Sequence, residues 1–315
     1  MPTVAVVGLG LMGSSFALAL NQARPDMVIV GSDRNPIVVR KALDRGIVST
    51  ANTDLSVVPL ADVIVVGAPI SALRSVFAGL GALSEGKPVT DMASTKASVM
   101  EWAAAEGIDL VGGHPMCGKE VSGIDAADAS MFQGASWVLT RDEPRITELV
   151  EAVGAHPVVM DATTHDKLVA GVSHAAFLLS VGYVLAMSRR KDWPEASKLA
   201  AGGFRDMSRL AAGDPDLYAG VARTNRENLL EMLDAISQEL GRLYRHLETD
   251  DPRLVELFEE ARAVRERWAS HSPGFTPPPG GSVPIRPGRS ASGPPSPASG
   301  EGNDLPGERG GEGQA

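Results

Sequence analysis

Near its start the chain places Gly8-Leu9-Gly10-Leu11-Met12-Gly13 between two apolar segments of different period. Before it, Thr3-Val4-Ala5-Val6-Val7-Gly8 is short, β-branched and near-continuously apolar, as suits a strand covered on both faces. After it, residues 13–23 read as a helix. A turn of three glycines that ends a buried strand and opens a helix is compatible with few folds. The strand pattern recurs at 27–33, 62–69, 88–94 and 110–115, with helical stretches at 36–46, 71–83 and 96–106. Two more strands, 136–140 and 157–161, flank a helix near 142–154. Such alternation predicts an α/β domain over residues 1–161, a doubly wound parallel sheet of the Rossmann type.

In that setting the glycines have separate tasks. Gly8 permits the tight turn, Gly10 lets the backbone approach a pyrophosphate, and Gly13 allows close helix–strand packing. Leu11 and Met12 open the helix, whose free N–H groups and partial positive charge favour phosphate. Asp33 stands 20 residues after Gly13 at the end of the second strand, where a carboxylate accepts hydrogen bonds from adenosine ribose hydroxyls. A carboxylate there repels a 2′-phosphate, so the expected cofactor is NAD. Arg34 is compatible with either pairing a 2′-phosphate or stacking on adenine. Ala68 and Pro69, at the end of the 62–69 strand, complete the expected cofactor-binding edge.

The texture changes near Ala162, where amphipathic helices take over to about residue 270. Thr163 or Thr164 is the expected N-cap of the first, which runs to about Arg190. Trp193-Pro194 and Gly213-Asp214-Pro215 punctuate later starts, and a short helix is expected from Pro252. So much apolar helical face predicts an all-α domain, residues 162–270, that pairs with a second copy as a homodimer. Residues 271–315 carry ten Pro and eleven Gly, a composition that predicts a disordered tail.

The net charge of −10 argues against nucleic acid as the main partner. No uninterrupted run of eighteen apolar residues and no signal-peptide pattern is seen, so neither a membrane partner nor export is expected, and the anticipated compartment is the cytoplasm. One cysteine, Cys117, excludes an intrachain disulfide and a cysteine metal cluster, and reads as a packing residue. No bound metal is expected.

Ligands of open α/β sheets bind beyond the carboxyl ends of the strands. The 88–94 strand ends in Asp91-Met92-Ala93-Ser94-Thr95-Lys96, and the 110–115 strand in Gly112-Gly113-His114-Pro115. Ser94 and His114 therefore belong on the nicotinamide side. Oxidising an alcohol by hydride transfer needs a proton acceptor, and histidine suits that role. The competing readings are a hydrogen-bonded core histidine for His114 and a helix N-cap for Ser94. Lys96 reads as a surface or phosphate-proximal lysine.

The segments DMASTKAS, GGHPMCGKEVSG, THDKLVAGVSHAAF and GGFRDMSRLAAGDPDLY, together with the glycine loop, resemble the prephenate and arogenate dehydrogenases of tyrosine biosynthesis over about residues 3–250. The resemblance implies oxidative decarboxylation of a cyclohexadienyl substrate. His114 would deprotonate the C4 hydroxyl and Ser94 would orient it. Arg209 would hold a substrate carboxylate, with Arg205 in the same FRDxxR stretch. His174 and Glu120 match residues near the pocket, and His165-Asp166 a recurrent pair of more structural kind. Phe177 stands where many members carry a second histidine, which leaves arogenate and a 4-amino analogue of prephenate as alternatives to prephenate. A β-hydroxyacid dehydrogenase would use Lys167 on the first long helix but has no place for HPMxG. A non-catalytic NAD-binding regulator need not keep Ser94, His114 and Arg209 together.

Overall fold

The computed structural model describes residues 1–119 and 121–271. The expected 271–315 tail and Glu120 thus lie outside the described residues, apart from the helical backbone at 271. Six parallel strands form the first sheet: β1 (Thr3–Val7), β2 (Val28–Ser32), β3 (Thr50–Asn52), β4 (Val63–Val66), β5 (Val89–Asp91) and β6 (Leu110–Val111). Their order is β3-β2-β1-β4-β5-β6. The order reverses between β1 and β4, which opens a crevice at the strand C-termini. Helices α1 (Leu11–Ala23) and α2 (Pro36–Asp44) fall in the first three-strand half, α3 (Leu73–Leu80) and α4 (Ala97–Ala105) in the second. Strand β3, Thr-Ala-Asn, has no apolar run and gave no signal in the sequence.

The expected 110–115 strand is two strands. Gly112 donates its N–H to the Thr140 hydroxyl (2.8 Å) and accepts from the Thr140 N–H (2.9 Å). The chain thereby leaves β6 and continues as β7 (Gly113–Pro115), antiparallel to β8 (Ser136–Leu139). Strand β9 (His156–Val159) pairs parallel to β8 after α5 (Pro144–Ala152). Under this small sheet Trp137 packs against Phe132 and Phe16, with ring centroids 5.2 and 5.9 Å away. The cluster ties β8 to α1, so the strand carrying His114 rests on the helix that follows the glycine loop. Truncating such a buried aromatic costs about 3–5 kcal/mol.

The second half is helical among the described residues: α6 (Ala162–Val169), α7 (Ala175–Ser188), α8 (Trp193–Ala196), α9 (Gly202–Ser208), α10 (Pro215–Thr224), α11 (Arg226–Glu248) and α12 (Arg253–His271). The N-cap of α6 is Asp161, whose carboxylate accepts from the Thr164 N–H at 2.9 Å, not either threonine. The first long helix is also not uniform: a π-helical turn, Ala170–His174, joins α6 to α7. Such turns frequently mark functional sites. The helix from Pro252 is 19 residues long rather than short.

Helix Ala162–Ser188 is long and apolar enough to cross a membrane by length and composition: an 18-residue stretch of it has mean hydropathy 1.8, with 28% of that stretch buried. Serines, histidines and glycines interrupt its apolar residues, so no uninterrupted apolar run marks it in the sequence. Exposed apolar residues continue onto later helices, among them Leu199, Leu240, Leu247 and Phe258.

Candidate active site

The glycine loop takes up the conformation its sequence demands. Gly8 sits at φ +95°, and a Cβ there would lie 2.6 Å from the Ala68 nitrogen. A Cβ on Gly13 would lie 2.0 Å from the Gly8 carbonyl oxygen. Gly10 is the opposite case: a Cβ there meets nothing within 4 Å. That space lies over the N-terminus of α1, which has no side-chain cap and no acidic residue in its first turn. The first-turn amides of Leu11 and Met12 therefore face room for a phosphate, which fits a dinucleotide.

Asp33 stands at the end of β2 and braces the loop. Its Oδ2 accepts from the Leu9 N–H and its Oδ1 from the Asn35 N–H, both at 2.9 Å. A carboxylate offers about four acceptor sites, so two remain for ribose hydroxyls. Arg34 is exposed beside it. Ala68 and Pro69 follow β4 against the loop, Ala68 half-buried and Pro69 exposed.

Across the crevice His114, on β7, is 8% exposed. Its Nδ1 lies 2.8 Å from Nε2 of His165, which is fully buried. His165 Nδ1 lies 2.8 Å from Asp166 Oδ1. Asp166 also accepts the N–H of Lys96 (2.7 Å) and of Ala97 (2.9 Å), capping α4 from another helix. That displaces the expected N-cap role of Ser94. Ser94 is half-buried in the β5–α4 turn. Burial first, then the Lys96 charge and the neighbouring His165 and His174, holds the His114 imidazole well below its usual range. His114 is therefore neutral near pH 7 and able to take a proton.

Lys96 is not at the surface. It is fully buried and paired with Asp91, itself fully buried. Asp91 further accepts from the Ala93 N–H (2.8 Å) and the Gly113 N–H (3.0 Å). The pair thus ties the turn bearing Ser94 to the strand bearing His114. Burial lowers the Lys96 pKa, and Asp91 opposes that shift.

The helical half closes over the same edge. Thr224 and Thr95 hydroxyls meet at 2.9 Å. Asn225 donates to the Asp166 carbonyl at 2.7 Å and lies 3.1 Å from His174 Nδ1. His174 is 1% exposed, and its Nε2 finds no hydrogen-bond partner among the described residues. Burial pushes its imidazole down to about 4, against the pull of Asp166 and of the Ser94 backbone. From His174 a path of contacts leads outward. Phe177 lies 6.3 Å from it and stacks on Tyr218 at 4.3 Å. Tyr218 donates to the Leu210 carbonyl at 2.6 Å, and Ala211 N–H to the Ser180 hydroxyl at 2.9 Å. These bonds seat the 3₁₀ turn Arg209–Ala212, which opens with the exposed Arg209; exposed Arg205 lies one turn earlier on α9.

Ser94 and His114, expected on the nicotinamide side, and His174, expected near the substrate, are joined here by His165-Asp166, expected only as a structural pair, and by Asn225, for which the sequence suggests no role. The Asp91…Lys96 pair carried a readable signal, since two charges bracket a turn between apolar segments. His165 is marked only as part of a recurrent pair, without a catalytic role, and nothing in the local sequence marks Asn225.

Comparison with known proteins agrees with this geometry. Residues 16–163 match the family model described as prephenate dehydrogenase, nucleotide-binding domain, and residues 161–260 the corresponding dimerization domain. A prephenate dehydrogenase of Lactococcus lactis is 33% identical over 279 residues, covering 86% of this chain and 78% of that one. The Aquifex aeolicus prephenate dehydrogenase, solved with hydroxyphenyl propionate and NAD+, superposes with TM-score 0.79 at 28% identity, covering 85% of this chain and 98% of that one. Synechocystis arogenate dehydrogenase gives 0.73 at 31% identity, covering 84% and 99%. With its two halves matching both domains of one family over most of its length, the chain belongs to the prephenate dehydrogenase family.

Proposed function

We propose that the chain oxidises prephenate to 4-hydroxyphenylpyruvate with loss of CO2, using NAD, and that it works as a homodimer. The observation that carries the reading is His114: a buried imidazole on β7 whose Nδ1 meets His165, itself held by Asp166. Bound NAD+ supplies the hydride acceptor. His114 takes the C4 hydroxyl proton as the C4–H bond breaks and its electron pair leaves as hydride. The bond from C1 to its carboxylate then breaks, CO2 departs, and the released electron pair closes the aromatic ring. His114 returns the proton to the phenolic oxygen, so no net proton is released. Ser94 orients the hydroxyl, and Arg209 holds a carboxylate through a paired, charge-assisted contact. Arg205, Phe177 and Glu120 complete the proposed substrate end.

NAD is favoured over NADP because the Asp33 carboxylate occupies the position a 2′-phosphate would approach. The second copy covers the exposed apolar helical faces, including that of Ala162–Ser188. NADH formation should be measured with prephenate, arogenate and the 4-amino analogue, each with NAD+ and NADP+. The highest kcat/KM is expected for prephenate with NAD+; a higher value for arogenate would overturn the substrate assignment, and for NADP+ the cofactor assignment.

A further inference from the structure

The hydrogen-bond partners of His114 and His174 differ in kind, and the difference fixes where each ring carries its proton. Both oxygens of Asp166 are taken by backbone N–H groups, Lys96 on Oδ1 and Ala97 on Oδ2, and such groups can only donate. Nδ1 of His165, 2.8 Å from Oδ1, must therefore bring a proton of its own. A neutral His165 then has a bare Nε2. That nitrogen faces His114 Nδ1 at 2.8 Å, so His114 Nδ1 carries the proton and its Nε2 is left as a lone pair.

His174 is governed from the other side. The Asn225 amide is oriented at both ends. Its Nδ2 donates to the Asp166 carbonyl, which can only accept, and its Oδ1 accepts from Asn228 Nδ2 at 2.7 Å. The remaining Nδ2 hydrogen points at His174 Nδ1, 3.1 Å away, which must be bare. A neutral His174 accordingly carries its proton on Nε2, a buried atom that makes no hydrogen bond of normal geometry among the described residues, with the Ser94 backbone as the one protein acceptor acting on the ring.

We infer that His165-Asp166 and Asn225-Asn228 are positioning residues that set opposite tautomers in the two site histidines, presenting His114 Nε2 as a proton acceptor and His174 Nε2–H as a donor to a carbonyl or carboxylate oxygen of the substrate. The inference rests on the proposed dehydrogenase reading for its purpose but not for its first test. The test is the ring-nitrogen spectrum of the full-length, ¹⁵N-histidine-labelled protein without ligand at pH 8. Signals are assigned by their loss in His114→Asn and His174→Gln. Expected are a protonated Nδ1 with bare Nε2 for His114, and the reverse for His174. The reverse pattern in either residue, or a doubly protonated ring in either, overturns the inference. Asn225→Asp places an acceptor against His174 Nδ1 and should move its proton there; an unmoved proton also overturns it. In turnover, His165→Phe should lower kcat by about 10–100-fold, the usual cost of losing an outer partner that orients a histidine. NAD affinity should be unchanged in that variant; an unchanged kcat overturns the role of His165. Correct tautomers in a protein that oxidises no cyclohexadienyl substrate would instead sink the functional reading and leave the tautomers standing.

Discussion

Acidification from pH 7 to pH 5 should cost the folded protein about 2 kcal/mol through His174 alone. Its imidazole is pushed to about 4 by burial, against 6.5 for the free side chain. Above pH 6.5 the ring is neutral whether folded or not, and its titration does not affect stability. Below that, the unfolded chain takes up a proton that the folded one refuses, so stability falls as pH falls. A shift of this size is worth about 3 kcal/mol once pH reaches the folded value, with about 2 of it expressed by pH 5. The assay is urea unfolding of wild type and His174→Gln at pH 7 and pH 5, at one protomer concentration because the protein is a dimer. Histidines that do not sense His174 contribute equally to both proteins and cancel in the comparison, whereas His114 senses its charge. The variant should lose about 2 kcal/mol less than wild type over this interval. Equal losses would mean that His174 is not held neutral, and the account of its burial would fail.

His114→Asn should lower kcat by about 10²–10⁴-fold, the range for a general base, while NAD affinity measured by fluorescence titration stays near wild type. Arg209→Ala should act mainly on KM, since a carboxylate contact is made before the chemical step; steady-state kinetics separates this from a kcat effect. Gly10→Ala should fold normally, because its φ is −71° and nothing lies within 4 Å of the new methyl, yet weaken NAD by about tenfold or more, read by calorimetry. Lys96→Met leaves Asp91 buried without its cation and should cost about 3–5 kcal/mol in denaturant unfolding. Because the Lys96 charge helps lower the His114 pKa, the acid limb of kcat/KM should also move to higher pH in that variant.

The parallel sheet was legible because buried strands write themselves as short β-branched, largely apolar runs, most plainly in β1 and β4. From the ends of the predicted 88–94 and 110–115 strands, Ser94 and His114 are expected on the nicotinamide side; they stand in the β5–α4 turn and on β7. What stayed hidden depends on chain crossings. His114 meets His165 across 51 residues, and Asn225 meets His174 across the same separation. Neither pair leaves a local pattern. Lys96 was misread because a lysine after Ser-Thr near a helix start resembles many surface caps. Its burial is set by Asp91, five residues earlier and also fully buried. The π-helical turn before α7 was equally invisible, since its apolar composition suits an ordinary helix.

Asp166 explains why the two halves of the chain must act as one. Its carboxylate caps α4, the helix entered from the Ser94 turn, and orients His165 behind His114. Its own carbonyl holds Asn225, which reaches His174. One residue of the helical half therefore braces the Ser94 turn, His114 and His174 together. A Rossmann domain folded without α6 would keep Gly8, Gly10, Gly13 and Asp33, whose contacts are all local to β1, β2 and β4. It would lose the cap of α4 and the only partner that His114 has on its Nδ1 side among the described residues. On the proposed reading, cofactor binding and proton transfer are separable in this fold: the contacts that serve the first lie within the sheet, and those that orient His114 come from α6.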